Sequence, residues 1–135
     1  MKFLPSLTLV TLLAACGSRS SDEQQVRALI VELENAAESR DTSDVLEHVA
    51  AGYEDAQGFD RAQLQNFLRG YFLSHPRIEL LVNVEALQFP ADGLAQAELS
   101  ITSVSLNDPD RARVKVEFRR EGDTWRLSRA DRLQP

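Results

Sequence analysis

The hydrophobic period of this chain changes once, at Pro76, and that change does most to limit what it can fold into. Before Pro76, apolar residues recur every three or four positions, the spacing of a helix face. Val26, Leu29, Ile30 and Leu33, then Ala36 and Ala37, form the longest such stripe, with Glu, Gln and Arg opposite. Ser21 is expected to cap this helix, which should start at Asp22 and run to about Arg40. Asp41-Thr42-Ser43-Asp44 reads as the cap of a second, short helix carrying Val45, Leu46 and Val49, stopped near Ala51-Gly52. A third begins at Asp60, where Asp60 and Gln63 fit a capping box and Phe59 can staple onto Leu64. Its apolar side is Leu64, Phe67, Leu68, Tyr71 and Phe72, and Ser74-His75-Pro76 ends it.

After Pro76 the period is two. Ile78, Leu80, Val82 and Val84 alternate with polar neighbours, and so do Ala95 to Ile101 and Ala112 to Phe118. Phe89 to Gly93, Asn107 to Asp110 and Glu121-Gly122-Asp123 supply turns, and Trp125 and Leu127 mark a last strand. Helices first, then a meander with one apolar face, define an α+β domain: two or three N-terminal helices packed on a curved four-stranded antiparallel sheet.

The first residues obey a different logic. Met1-Lys2 is a charged start, Phe3 to Leu13 a short apolar run, and Leu13-Ala14-Ala15 a small-residue exit before Cys16, the only cysteine. This is the pattern of a secretory signal. The run is about half of what a bilayer-spanning helix needs. Leu13-Ala14-Ala15-Cys16 resembles the lipobox of bacterial lipoproteins. That resemblance implies cleavage before Cys16, a diacylglyceryl group on its sulfur and an acylated amino terminus. Gly17 in place of Asp implies the outer membrane by the sorting rule of such proteins. The expected organisation is a signal peptide over residues 1–15, a lipidated Cys16 with a flexible tether to residue 21, and one domain over residues 22–135.

With Cys16 committed to lipid, the domain has no thiol for a disulfide and must hold by packing. The chain of 135 residues carries a formal net charge of -6 and no Lys/Arg-rich run. It is therefore a poor candidate for nucleic acid or for an anionic membrane surface, and its membrane contact is expected through the lipid. Arg119, Arg120, Arg126, Arg129 and Arg132 cluster near the end among Glu117, Glu121, Asp123 and Asp131. That mixture reads as a salt-bridged, solvated sheet face, with partner docking as the lesser reading.

The order of elements, the segment Tyr53-Glu54-Asp55-Ala56-Gln57-Gly58-Phe59-Asp60 and the closing Arg119-Arg120-Glu121-Gly122-Asp123-Thr124-Trp125-Arg126-Leu127 resemble the cone-shaped NTF2-like (SnoaL-like) fold. The usual fold has a small hairpin between its second and third helices. Here only Gly52 to Phe59 is available, so that hairpin should be reduced or absent. The superfamily holds isomerases, dehydratases, hydrolases and binding modules, so the fold does not choose among them.

Chemistry-bearing motifs are few. His48 and His75 are far apart, and no HExxH, GxSxG or phosphate-cradling glycine loop occurs. His48 is expected to pair with Asp44 on a helix surface. Asp108-Pro109-Asp110 reads as a turn before it reads as a calcium site. No cofactor and no metal is expected. Enzymes of the resembled superfamily often use a carboxylate in the cone as base, and Asp55 beside Tyr53 is the pair to test for it. Against that, Asp55 reads as an ordinary turn residue. Tyr71 is a candidate pocket residue, and Trp125 is expected in the core. The resulting expectation is a lipid-anchored envelope protein that binds a small apolar ligand or an envelope protein without catalysis. A homodimer through the sheet is a further candidate. The alternative is a small-molecule enzyme of the isomerase or dehydratase kind.

Overall fold

A computed structural model describes residues 15–104 and 109–133, with side chains from residue 20. Most of the expected signal peptide and part of the turn before Pro109 lie outside the described residues. Three helices precede four strands: α1 (Ala15–Glu38), α2 (Thr42–Glu47), α3 (Arg61–Ser74), β1 (Glu79–Ala91), β2 (Leu94–Val104), β3 (Asp110–Glu121) and β4 (Thr124–Leu133). The strands form one antiparallel sheet in the order β1-β2-β3-β4, the expected meander.

Helix α1 departs from expectation at its start. It is already helical from Ala15, so Ser21 is an interior residue, not a cap, and its Oγ accepts from Gln25 Nε2 one turn on at 3.2 Å. The segment expected as a flexible tether is the first part of this helix, and Cys16 stands in its opening turn. The Asp22 carboxylate is free to reach the sheet, where it takes Arg120 Nη1 at 3.1 Å. At its other end α1 stops without a glycine. Arg40 adopts φ 55, its N–H donates to Ala37 O, and the Asp41 N–H donates to Ala36 O. This is the paired-bond stop that usually carries glycine in the left-handed position.

Helix α2 is capped by Asp41 as expected but ends at Glu47, before Gly52. Strand β4 claims the backbone beyond it: the Leu127 N–H donates to His48 O at 2.7 Å, and the Ala50 N–H donates to Leu127 O at 2.8 Å. His48 pairs with Glu32 of α1, Nε2 to Oε2 3.7 Å, and not with Asp44. Helix α3 starts with both halves of the Asp60/Gln63 capping box in place. Phe59 packs against Phe67, ring centroids 5.9 Å apart. The hairpin usual before this helix is reduced to a single bridge between Glu54 and Asp60.

In the sheet, Phe89, Pro90 and Ala91 extend β1 in place of the expected turn. The reversal is Asp92-Gly93, with Gly93 at φ 69. Register shifts between Val84 and Ala86 and between Glu117 and Phe118 mark where the sheet bends. The extra residue at the second shift, Ser128, is buried and satisfied by Glu117 O at 3.0 Å.

The core lies between the helices and the concave face of the sheet. Val26, Ala95 and Trp125 fill one end almost completely. Trp125 meets Phe89 edge-on at 6.1 Å and lies under the Arg120 guanidinium. The five clustered arginines each find a carboxylate: Glu117 for Arg119, Asp22 for Arg120, Glu121 for Arg126, Asp131 for Arg129 and Asp110 for Arg132. Among the described residues, no helix is long and apolar enough to cross a membrane.

Candidate functional site

The other end of the cone is hollow. The helical stripe of α1 brings Ile30, Leu33, Glu34 and Ala37 to the sheet at spacings of three and four, one face of the helix. Opposite stand Leu80 and Val82 of β1, Leu99 and Ile101 of β2, Val114, Val116 and Phe118 of β3, and Leu127 and Ala130 of β4. Alternation along β1, β2 and β3 puts these on the helix-facing side, and in β4 the extra residue Ser128 brings Leu127 and Ala130 to the same side. Between them lies a cavity of about 210 Å³. Leu33, Leu80, Val82, Ile101, Val114 and Ala130 are only partly buried, so the apolar wall reaches an opening. An apolar cavity of 150 Å³ is large enough for benzene. This one has room for a ring with a short tail.

One lining residue ionises: Glu34. Burial first, then the charge of Glu38 one turn on, push its carboxyl above the ordinary value. Glu38 is held at the edge of the sheet, where its Oε2 accepts the Leu80 N–H at 3.3 Å. The remaining lining comes from α2 (Val45) and the four strands, and none of it titrates.

The residues singled out from sequence are elsewhere. Asp55 and Tyr53 do come together: the Tyr53 hydroxyl donates to Asp55 Oδ2 at 2.8 Å. They do so inside the link before α3, where Asp55 Oδ1 also accepts the N–H groups of Gln57 and Phe59 at 3.0 and 3.1 Å. Gly58, at φ 83, closes the turn by donating to Asp55 O. Tyr53 is buried, and burial, then the bond to Asp55, push its hydroxyl pKa well up. A second carboxylate pins the same link: Asp131 Oδ1 accepts the Ala56 N–H at 2.7 Å, and its other oxygen holds Arg129. Burial alone would raise Asp131, but the Ala56 N–H and Arg129 prevail and lower it. Neither Tyr53 nor Asp55 lines the cavity.

Tyr71 is likewise no part of the cavity wall. It stacks on His75 at 3.9 Å and on Phe67 at 6.0 Å along the outer side of α3. The pocket role expected for it is therefore not met at this cavity. Residues three and four apart share a helix face, and Tyr71 and Phe72 both stand at such spacings from Leu68, which is why sequence groups them. Only Phe72 turns inward.

The cavity residue missed in the sequence is Glu34. It stands four residues after Ile30 and three before Ala37, within the apolar stripe, although the polar face was expected to hold the acids of this helix. An acid interrupting an apolar stripe is a readable signal.

Comparison with solved structures places this architecture. An NTF2-like protein of unknown function from Pseudomonas putida KT2440 superposes with a TM-score of 0.71 at 18% identity, over 86% of this chain and 88% of that one. Another from Shewanella oneidensis MR-1 gives 0.68 at 12% identity, over 82% and 98%. The fold is NTF2-like. Bdellovibrio bacteriovorus Bd1075 gives 0.76 at 11% identity, and there this NTF2-like domain, matched over 90% of its chain, spans 44% of the longer protein. No protein-family model and no curated protein matches the sequence. At these identities the likeness establishes the fold alone.

Proposed function

We propose that this NTF2-like domain binds a small, largely apolar molecule in the cavity between α1 and the sheet, and that lipid on Cys16 holds it at the cell envelope. The observation that carries the binding reading is an open apolar chamber of about 210 Å³ in a fold whose opposite end is tightly filled. Packed interiors rarely leave so much apolar wall without a partner. The anchor rests on the signal-like start and the Leu13-Ala14-Ala15-Cys16 box. Placement on the periplasmic side of the outer membrane follows from Gly17 by the same resemblance.

One observation favours a second reading, an enzyme acting on a small molecule. Glu34 is a carboxyl with a raised pKa facing the chamber, the usual state of a general base. It would replace Asp55 in that role. A base acting alone is a poor catalyst, because the charge it creates on the substrate needs a donor to stabilise it. No other lining side chain offers one. Binding without chemistry is the better supported of the two.

Titration of the purified chain with butylbenzene, followed by NMR shifts of the lining methyl groups, tests the binding reading. Saturable shifts confined to residues such as Leu80, Val82, Ile101 and Val114, and lost in Ile101→Phe, are the expected result. Shifts scattered over the surface, or none, would overturn it.

A further inference from the structure

We propose that the chamber selects a cation: its ligand is an apolar molecule bearing an amine, held with its ammonium group against Glu34 and its hydrocarbon part against the sheet. This rests on the binding reading above and names the chemistry of its ligand. The wall is hydrocarbon from α1, α2 and all four strands, and Glu34 is the one charge in it. Among the described residues no Lys, Arg or His forms an ion pair with Glu34 or Glu38. Arg40, the nearest cation in sequence, is engaged elsewhere, donating to Pro76 O.

The electrostatics point one way. Glu34 and Glu38 sit one turn apart on α1 and repel each other, which contributes to the upward shift at Glu34. The Leu80 N–H holds Glu38 beside β1, so the repulsion is not relieved by its turning away. A cation between the two would relieve it, whereas an anionic ligand would add a third negative charge in a domain that is already acidic. A neutral hydrocarbon would fill the chamber and leave the repulsion unchanged. An ammonium also donates charge-assisted hydrogen bonds, which are stronger than neutral ones. The ligand's size follows from the volume: a ring or short branched chain with the amine at one end, so that the tail enters first and the charge stays at the partly solvated mouth.

The affinity should depend on pH through Glu34, whose one charged neighbour on α1 is Glu38, since the side chains facing Glu34 from α2, β1, β2, β3 and β4 carry no ionisable group. Binding of an amine should weaken as pH falls and Glu34 takes a proton.

The test compares three probes of one skeleton on the whole chain: phenylpropylamine, butylbenzene and phenylbutanoate. Isothermal titration should show the amine binding about tenfold more tightly than the carboxylate. Glu34→Gln should remove about tenfold of the amine's affinity and leave that of butylbenzene within about twofold. Equal binding of amine and carboxylate to the unmodified chain would overturn the inference without recourse to any variant. So would an amine affinity untouched by Glu34→Gln. In both cases binding of butylbenzene would leave the chamber itself standing as a ligand site. Failure of all three probes to bind would overturn the chamber reading and this one together.

Discussion

The hydroxyl of Tyr53 donates to Oδ2 of Asp55 at 2.8 Å, and the other oxygen of that carboxylate is taken by two backbone N–H groups of the same turn. A carboxylate so fully engaged holds a loop. It does not line the chamber, and Tyr53 is buried with its single proton donated.

Asp55→Ala should therefore act on stability. It removes an acceptor from three donors, one of them the buried Tyr53 hydroxyl, for a cost of about 2–4 kcal/mol. Asp55→Asn keeps one carbonyl oxygen and should cost about 1 kcal/mol. Urea unfolding measures both. Ligand affinity measured on the folded fraction should not move. A loss of binding with stability intact would return Asp55 to the functional site.

Trp125 should behave as a core residue. It is 4% exposed and meets Phe89 edge-on. Trp125→Ala should cost about 3–5 kcal/mol. Its Nε1 is buried and makes no hydrogen bond within the protein. Trp125→Phe therefore sacrifices no bond, only volume, and should cost less than half as much. Thermal melts of the two variants would separate these cases, and equal losses would mean that Nε1 has a partner worth keeping.

The elements that sequence announced correctly are those whose signals are local. The Asp60/Gln63 capping box needs four residues and forms as read. The alternation of Ala95, Ala97 and Leu99 needs only a period, and all three are buried. What was misread depends on distant chain. Gly52 does not stop α2, because the backbone after Glu47 pairs with Leu127. His48 turns from Asp44 to Glu32 because α1 packs alongside. Ser21 fails as a cap because the helix runs back to Ala15. The chamber was the hardest to foresee. Val82 and Ile101 look like any core residues, and whether they meet side chains or open space depends on the bend of the sheet and the length of α1. Glu34 was within reach, since it sits between Ile30 and Ala37.

Cys16 should carry the anchor. Metabolic labelling with a fatty acid should mark the unmodified protein and leave Cys16→Ser unlabelled. The variant should also retain the peptide of residues 1–15 and leave the membrane fraction. The start of α1 at Ala15 adds a structural expectation. If lipid is attached at Cys16, a helix that starts there should restrict tumbling of the domain on a lipid vesicle, and inserting a Gly/Ser-rich segment after Ser18 should release it. Label retained in Cys16→Ser would refute the anchor.

Glu34 and Asp131 should affect stability with opposite signs. Burial and Glu38 raise the folded-state pKa of Glu34 above its ordinary 4.5. Folding therefore disfavours the charged form, and the penalty is present above the raised pKa and gone below 4.5. Glu34→Gln should raise the unfolding midpoint at pH 7, with the gain shrinking as pH falls and disappearing below about 4.5. Asp131 is the reverse. The Ala56 N–H and Arg129 outweigh the burial that opposes them and hold its pKa below 3.8. Its contribution is complete above that value and is lost as pH falls through the lowered pKa. Asp131→Asn should thus lower the midpoint at pH 7, and the difference from the unmodified chain should close only in strong acid. Melting curves from pH 7 to pH 3 on the two variants test the pair. A midpoint that Glu34→Gln lowers at pH 7 would mean the carboxylate is satisfied inside the protein, which would also remove the unpaired charge on which cation selection depends.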